Sequence, residues 1–171
     1  DGSYALQYAS IQNVTSLDCA ATGSFSFGCA YLHVENAGAI DCDGYRACYG
    51  MDAGKVDVLE CRTTSSQPCA ASTVDFIHDL WCYGDSACDG LTVTTVVNLM
   101  CSGVDACKGL TVTSTENEID LSCSSASDCD ALDIGTAYTF ACSSGLCEPQ
   151  SFSVEPSFTT TVAPEPPFTA A

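Results

Sequence analysis

A seven-residue cysteine motif, C-x-G-x-x-A-C, constrains the fold of this chain more than any other feature. It occurs at residues 42–48, 82–88 and 101–107. Near-identical segments follow two of the copies, DGLTVT after Cys88 and KGLTVT after Cys107. Self-similarity with a period near twenty residues is typical of solenoids, in which each repeat is a coil that stacks on its neighbours. We therefore expect a repeat architecture.

The cysteines of the whole chain follow the same rhythm. All fourteen fall into close pairs, and the first members of successive pairs lie 19 to 23 residues apart. The pairs are Cys19 and Cys29, Cys42 and Cys48, Cys61 and Cys69, Cys82 and Cys88, Cys101 and Cys107, Cys123 and Cys129, and Cys142 and Cys147. An even number of closely paired cysteines predicts disulfides and an oxidising, extracellular compartment.

Metal binding is the rival interpretation of these pairs. Zinc knuckles usually place two to four residues between cysteines, whereas five residues separate the members of four of these pairs. His33 and His78 both lie outside the pairs. Equivalent cysteines of stacked coils would also come within bonding range, at about 4.8 Å, but seven first cysteines cannot all pair among themselves. We expect one disulfide within each coil, and no metal or other cofactor.

Within each repeat the apolar residues alternate with polar ones. Leu91 and Val93 alternate with threonines, and Val97, Leu99 and Cys101 share one parity in a second run. A period of two is typical of strands. This pattern predicts two strands and one cysteine turn per coil. The expected fold is all-β, a parallel β-solenoid (β-helix) of about seven coils.

The same parity assigns side chains to the interior or to the surface. Phe76 and His78 are expected in the core beside the other apolar residues of their repeat, whereas Ile77 and His33 are expected to point outward. The glycine of each motif copy is expected to adopt a positive φ, which glycine tolerates without steric cost.

Three segments are predicted along the chain. Residues 1–18 form an N-terminal capping or assembly segment, residues 19–148 the cysteine-rich solenoid, and residues 149–171 a proline-rich tail. The tail contains five of the six prolines, which favour extended chain. We expect it to dock on a neighbouring subunit through its apolar side chains, which are Phe152, Val154, Phe158, Val162 and Phe168.

Charge and modification motifs limit the partners. The chain has 22 acidic and 4 basic residues, a net charge of −18, which argues against nucleic acid and anionic membrane surfaces. The longest apolar runs are too short for membrane insertion. Asn13 begins the triplet Asn-Val-Thr, an acceptor for N-glycosylation.

Nothing in the sequence predicts catalysis. Basic residues are sparse, and motifs for a nucleophile, a metalloprotease or a phosphate loop are absent. We expect no enzyme activity and no catalytic residues. Two Thr-x-Thr pairs, at residues 92–94 and 111–113, raise ice binding as a minor alternative, although two coils make a small array.

The repeated C-x-G-x-x-A-C turns, each followed by strand residues, resemble the cysteine-rich β-solenoid repeats of extracellular algal and protist surface structures. Residues 123–129 are a variant with Ser125 and Asp128 in place of the glycine and the alanine. The resemblance implies a secreted structural role, as in flagellar hairs or wall fibres. A weaker structural analogy is with the disulfide-bearing antifreeze solenoids of beetles.

Two functions from different classes follow. A solenoid exposes unpaired strand edges at its ends, which are capped or continued through a neighbour. We expect an extracellular structural protein that polymerises head to tail with copies of itself into a surface filament. The alternative is a monomeric adhesion or carbohydrate-binding module whose aromatic residues stack on sugars, namely Tyr31, Tyr45, Tyr49, Trp81 and Tyr83.

Overall fold

The computed structural model describes residues 6–20, 27–63, 67–113, 119–124, 132–134 and 140–142, and these contain nine β-strands and no helix. The strands are β1 (Ser10–Asp18), β2 (His33–Asp43), β3 (Asp52–Arg62), β4 (Thr73–Tyr83), β5 (Thr92–Ser102), β6 (Thr111–Val112), β7 (Ile119–Cys123), β8 (Asp133–Ile134) and β9 (Phe140–Cys142). The order of the sheet is β1-β2-β3-β4-β5, after which β6 and β8 continue one row while β7 and β9 continue another.

Successive strands pair in parallel and place equivalent residues of the repeats on one another. Cys42 pairs with Cys61, Cys61 with Cys82, Cys82 with Cys101, and Cys101 with Cys123. One strand and one turn therefore make one coil, and the predicted parallel β-solenoid is confirmed. The described residues form about five coils, fewer than the seven expected from the cysteine pairs.

Each long strand bends twice, which the alternation rule missed. The interior positions of β5 are Val93, Val96, Leu99 and Cys101. Two outward residues lie between Val93 and Val96, and two more lie between Val96 and Leu99. Its pairing with β4 omits the residue after Val93 and the residue after Val96. In β2 to β5, a single 11-residue strand with two bends therefore replaces the two short strands that were expected in each coil.

The bends overturn several predicted orientations. Ile77 is completely buried rather than outward, and the side chain of His78 is 53% exposed rather than in the core. Phe76 and Val97 are only half-buried. The physical reason is that a bend puts two consecutive residues on the outside, which shifts the parity of every residue after it. His33 is exposed, as the alternation predicted.

The interior consists of stacked aliphatic side chains flanked by disulfides. Leu32, Leu59, Leu80, Leu91 and Leu99 are among the largest buried side chains. Five disulfides between described residues each join cysteines that are 6 to 10 residues apart, within one coil. They are Cys19–Cys29, Cys42–Cys48, Cys61–Cys69, Cys82–Cys88 and Cys101–Cys107. Cys123 is also disulfide-bonded, while Cys129 and Cys147 lie outside the described residues.

The turns are formed by residues with positive φ at two stacked positions. The motif glycines Gly44, Gly84 and Gly103 have φ of 97°, 99° and 134°, as predicted. At Gly84 a Cβ would overlap the carbonyl oxygen of Thr63 in the preceding coil, so the close stacking of the turns requires glycine there. The second position, two residues after the second cysteine, is less restrictive, because Ala71 occupies it with φ of 56°.

Candidate functional site

Aromatic side chains from three successive turns gather on one side of the solenoid. We term this group the aromatic corner; its members are Tyr8, Phe27, Tyr31, Tyr45, Arg46 and Tyr49. The turns that carry them are held together by the backbone, since the Tyr8 N–H donates to the carbonyl oxygen of Ala30 (3.3 Å) and the Tyr31 N–H donates to that of Tyr49 (2.8 Å). Stacking of equivalent turn positions therefore brings together residues that are distant in sequence.

Tyr8 and Tyr31 form the outer part of this group. Their ring centroids are 5.1 Å apart and the rings are nearly parallel, at 5°. The edge of Tyr49 meets the Tyr31 ring at 5.6 Å and 87°. Gly50 occupies the position equivalent to Tyr31 in the next turn. A Cβ on Gly50 would lie 2.8 Å from the Tyr31 Cδ1 atom. The glycine thus leaves room for the Tyr31 ring to lie flat against the neighbouring turn.

Arg46 lies over the inner tyrosines. Its Cζ atom is 4.8 Å from the Tyr49 ring centroid and 5.4 Å from that of Tyr45, within the range of a cation–π interaction. Phe27 meets both rings edge-on, at 6.0 Å from Tyr45 and 6.4 Å from Tyr49. Arg46 also has a positive φ of 48°, which places it at the tip of its turn. The guanidinium is therefore positioned by ring faces.

The other three basic residues of the chain are each next to a carboxylate. Lys55 lies 3.6 Å from Asp57, Lys108 lies 3.1 Å from Asp105, and Arg62 contacts both Asp41 and Glu60. Within the described residues, Arg46 has no carboxylate at ion-pair distance. In a chain with a net charge of −18, an arginine that has no ion pair with any described carboxylate is an unusual local arrangement.

The aromatic corner is open to solvent on the Tyr8 side. Tyr8 is 72% exposed and Tyr31 is 43% exposed, and both are among the four exposed large apolar side chains of the described residues. Phe27, Tyr45 and Tyr49 are half-buried, as is Arg46. The arrangement offers flat ring faces, phenolic hydroxyls and guanidinium donors, which are groups suited to binding rather than to bond cleavage.

A second feature is the open edge of β1, the first strand of the solenoid. Among the described residues β1 pairs only with β2, and it is nine residues long. Its interior-facing residues Ile11 and Val14 are half-buried, whereas the equivalent Val34 and Ala37 of β2 are buried. The apolar interior is thus less covered at this end, where no described strand lies beyond β1.

A charged column runs beside the turns of the same end. Asp18, Asp41 and Glu60 are equivalent positions of three successive strands, so like charges stack in register. Arg62 lies against this column, with Nε 3.3 Å from Glu60 Oε1 and a close contact to Asp41. The hydrogen bond to Asp41 is the main reason that the pKa of Arg62 is raised, although desolvation opposes it. Arg62 thereby offsets repulsion within the stacked carboxylates.

Asn13 lies on β1 and is exposed, beside a shallow groove of about 310 Å³. The groove is lined by Asn13, Val14, Thr15, Asn36, Ala37, Gly38, Lys55 and Asp57. The Asn36 Nδ2 donates a hydrogen bond to the Asn13 Oδ1 at 3.1 Å. That bond uses the oxygen of Asn13 and not Nδ2, the atom to which an N-linked glycan is attached, so the geometry is compatible with glycosylation.

The aromatic residues predicted to stack on sugars are divided between two places. Tyr31, Tyr45 and Tyr49 meet in the aromatic corner. Trp81 and Tyr83 lie instead on β4, where the Tyr83 hydroxyl donates to the Met100 Sδ at 3.3 Å. They form no part of the aromatic corner.

Sequence reasoning missed Tyr8, Phe27 and Arg46 as members of this group. The signal for Tyr8 was its position two residues before β1, which is also where Tyr31 stands before β2. The predicted assembly tail, with Phe152, Val154, Phe158, Val162 and Phe168, lies outside the described residues.

In the described part of the chain, no group of three or more histidine, cysteine, aspartate or glutamate side chains is arranged to hold a metal ion. The same residues include no helix with the length and apolar character needed to cross a membrane. Comparisons of the chain with protein-family models, with curated proteins and with solved structures found no match. The fold and its disulfides thus identify the chain as a cysteine-rich parallel β-solenoid.

Proposed function

We propose that this protein is an extracellular structural protein that associates end to end with copies of itself to form a surface filament. Disulfides within the coils support the extracellular placement, because such bonds persist in oxidising compartments. The resemblance of the cysteine repeats to those of algal and protist surface structures supports an appendage such as a flagellar hair or a wall fibre.

The observation that carries the proposal is the open edge of β1. A long unpaired strand edge is a template for a further strand, and soluble proteins normally shorten, charge or cover such edges. In β1 the interior-facing Ile11 and Val14 are only half-buried, so apolar surface is exposed together with the edge. Addition of another coil would pair the backbone and cover these side chains in one step.

The occupant that best fits this edge is another copy of the chain. Its coils have the matching shape, since each described coil already pairs in parallel with the next one in register. A contact between the first coil of one molecule and the far end of another is heterologous and does not close on itself. Contacts of this kind build open filaments rather than closed rings.

The test is microscopy and sedimentation of the full-length oxidised protein. We expect negative-stain images to show filaments or short rods that lengthen with protein concentration. Ile11→Lys places a charge at the half-buried end of the core and should leave folded monomers. Gln12→Lys is the matched control, because it adds the same charge at an exposed position of the same strand and should leave assembly intact.

Circular dichroism and intact-mass measurements show whether each variant retains its strands and disulfides. If the unsubstituted protein remains monomeric up to its solubility limit, the assembly role is wrong. Equal assembly of both variants and the unsubstituted protein would show that the β1 edge is not the contact.

A further inference from the structure

We propose that the aromatic corner is a binding site for an anionic oligosaccharide, one that carries carboxylate or sulfate groups on its sugar rings. This function is distinct from filament assembly through the β1 edge, and Tyr8 belongs to the same end coil as β1. It rests on three properties of the site: the exposed outer side of the Tyr8 ring, the hydroxyl groups of the tyrosines, and the guanidinium of Arg46.

The first step is the exposed aromatic surface. Tyr8 is 72% exposed although it stacks on Tyr31 at 5.1 Å, so its outer surface is free of described neighbours over most of its area. A buried structural role would instead cover the ring, as happens to the leucines of the core. A rigid aromatic platform of this kind binds flat apolar surfaces at a low cost in side-chain entropy. The apolar face of a sugar ring is such a surface.

The second step is the charge of Arg46. Its guanidinium is held 4.8 Å above Tyr49 and has no carboxylate partner among the described residues. The planar guanidinium fits carboxylate and sulfate oxygens in a two-pronged arrangement, with charge-assisted hydrogen bonds. Contact with the rings of Tyr45 and Tyr49 orients it before any ligand arrives. These properties favour an anionic group at the Arg46 end of the aromatic corner.

The acidity of the whole protein opposes this attraction, and distance decides which effect prevails. At physiological ionic strength, charges more than about 8 Å apart are largely screened. None of the described carboxylates is at ion-pair distance from Arg46, whereas a bound anion would be, so the local pair should dominate. Lower salt should strengthen the repulsion from the rest of the chain, and binding should therefore be measured at ~0.15 M salt.

The backbone of the corner favours a carbohydrate over a protein strand. The turns of Tyr8, Tyr31 and Gly50 already pair with the next coil through backbone hydrogen bonds of 3.3, 2.8 and 3.0 Å. Between these coils the corner therefore presents side chains and not an open backbone edge. The corner contains four tyrosines, whose phenolic hydroxyls can donate to and accept from sugar hydroxyls.

The experiment measures binding of three oligosaccharides of equal length to the full-length oxidised protein by titration calorimetry. One is built of uronic acids, one is sulfated, and one is neutral. We expect the uronate or the sulfated ligand to bind, and the neutral one to bind at least about tenfold more weakly, as the loss of a charge-assisted hydrogen bond implies. The two anionic ligands distinguish which acid group the site accepts.

Two variants locate the binding site. Arg46→Gln and Tyr8→Ala should each reduce affinity by about tenfold or more. Lys108→Gln removes a basic charge elsewhere, and Tyr83→Ala removes an aromatic ring outside the corner. Both control variants should bind within about twofold of the unsubstituted protein, because surface positions away from a site contribute little.

Melting curves of all four variants establish that they remain folded. Absence of binding for all three oligosaccharides would overturn the proposal, as would unchanged affinity in both Arg46→Gln and Tyr8→Ala. Equal affinity for neutral and anionic ligands would overturn its charge requirement. If Arg46→Gln instead abolishes self-association seen by sedimentation, the partner of the corner is a second copy of the chain and not a sugar.

Discussion

Two alanine substitutions at turn glycines should differ several-fold in their effect on stability, although both positions have positive φ. Gly90 has φ of 73°, and a Cβ there would meet only the Ala71 backbone nitrogen at 3.5 Å, an ordinary contact. The cost of Gly90→Ala is then the left-handed conformation, about 1–2 kcal/mol. The lower entropy of the unfolded alanine chain offsets about 0.4–1 kcal/mol of this. We expect a net loss of about 1 kcal/mol.

Gly84→Ala adds a collision with the backbone to the conformational cost. The new Cβ would overlap the carbonyl oxygen of Thr63, which cannot rotate away as a side chain could. Moving Gly84 instead weakens its N–H hydrogen bond to the Ser102 carbonyl oxygen, which is 2.8 Å long. Overpacking costs about 1–3 kcal/mol and an unfavourable φ a further ~1–3 kcal/mol. We expect a total loss of about 3–5 kcal/mol.

The assay is urea unfolding of the oxidised proteins, followed by the fluorescence of the single tryptophan, Trp81. The midpoint should shift several times further for Gly84→Ala than for Gly90→Ala, with a common slope that shows the same surface exposed on unfolding. A Gly84→Ala protein as stable as Gly90→Ala would refute the idea that close stacking of the turns demands glycine at position 84.

Two further predictions concern the disulfides and the acid sensitivity of the sheet. Complete reduction, verified by mass spectrometry, should lower the melting temperature by tens of degrees, since each short disulfide loop contributes about 2 kcal/mol; an unchanged melting curve would exclude a structural role for the bonds. The Asp79 carboxylate should stabilise the fold at pH values above the ordinary pKa of aspartate. This stabilisation should be lost as the pH falls through the lowered pKa that Asp79 has in the folded protein. Burial opposes that lowered pKa, but hydrogen bonds from Asn98 and His78 and the charge of His78 outweigh it. Asn98→Ala should therefore weaken the loss of stability between about pH 5 and about pH 2, as thermal unfolding at each pH would show; an unaltered pH dependence would contradict this.

The architecture was predictable because repetition is a global property of the sequence. Cysteine spacing gave the coil length, and the parity of residues such as Leu99 and Cys101 gave strands with one buried face. The bends were not predictable in the same way. Val96 and Val97 are adjacent apolar residues, so either could continue the alternation, and only the stacked backbone shows that Val96 points inward. Ile77 and His78 were misplaced because the rule was carried across a bend.

The aromatic corner was only partly predictable for a related reason. Three of its tyrosines follow from their positions near cysteine turns, but their clustering depends on which turns stack. Tyr8 belongs to a coil whose turn precedes the first cysteine, so the cysteine spacing gave no register for it. The contact of Arg46 with two rings depends on the positive φ of its backbone, which no local sequence rule assigns to arginine.

Each described disulfide closes within its own coil, so a coil can be gained, lost or oxidised as a whole. Gain or loss of one repeat changes the number of cysteines by two and leaves no thiol without its partner. The coils on either side still meet in register, because equivalent residues already face one another. Each described bond spans only 6 to 10 residues, so a nascent chain can oxidise one coil before the next emerges. Correct pairing among the ten cysteines of the five described bonds then follows from the order of translation, and chains of different length can arise by recombination in whole coils.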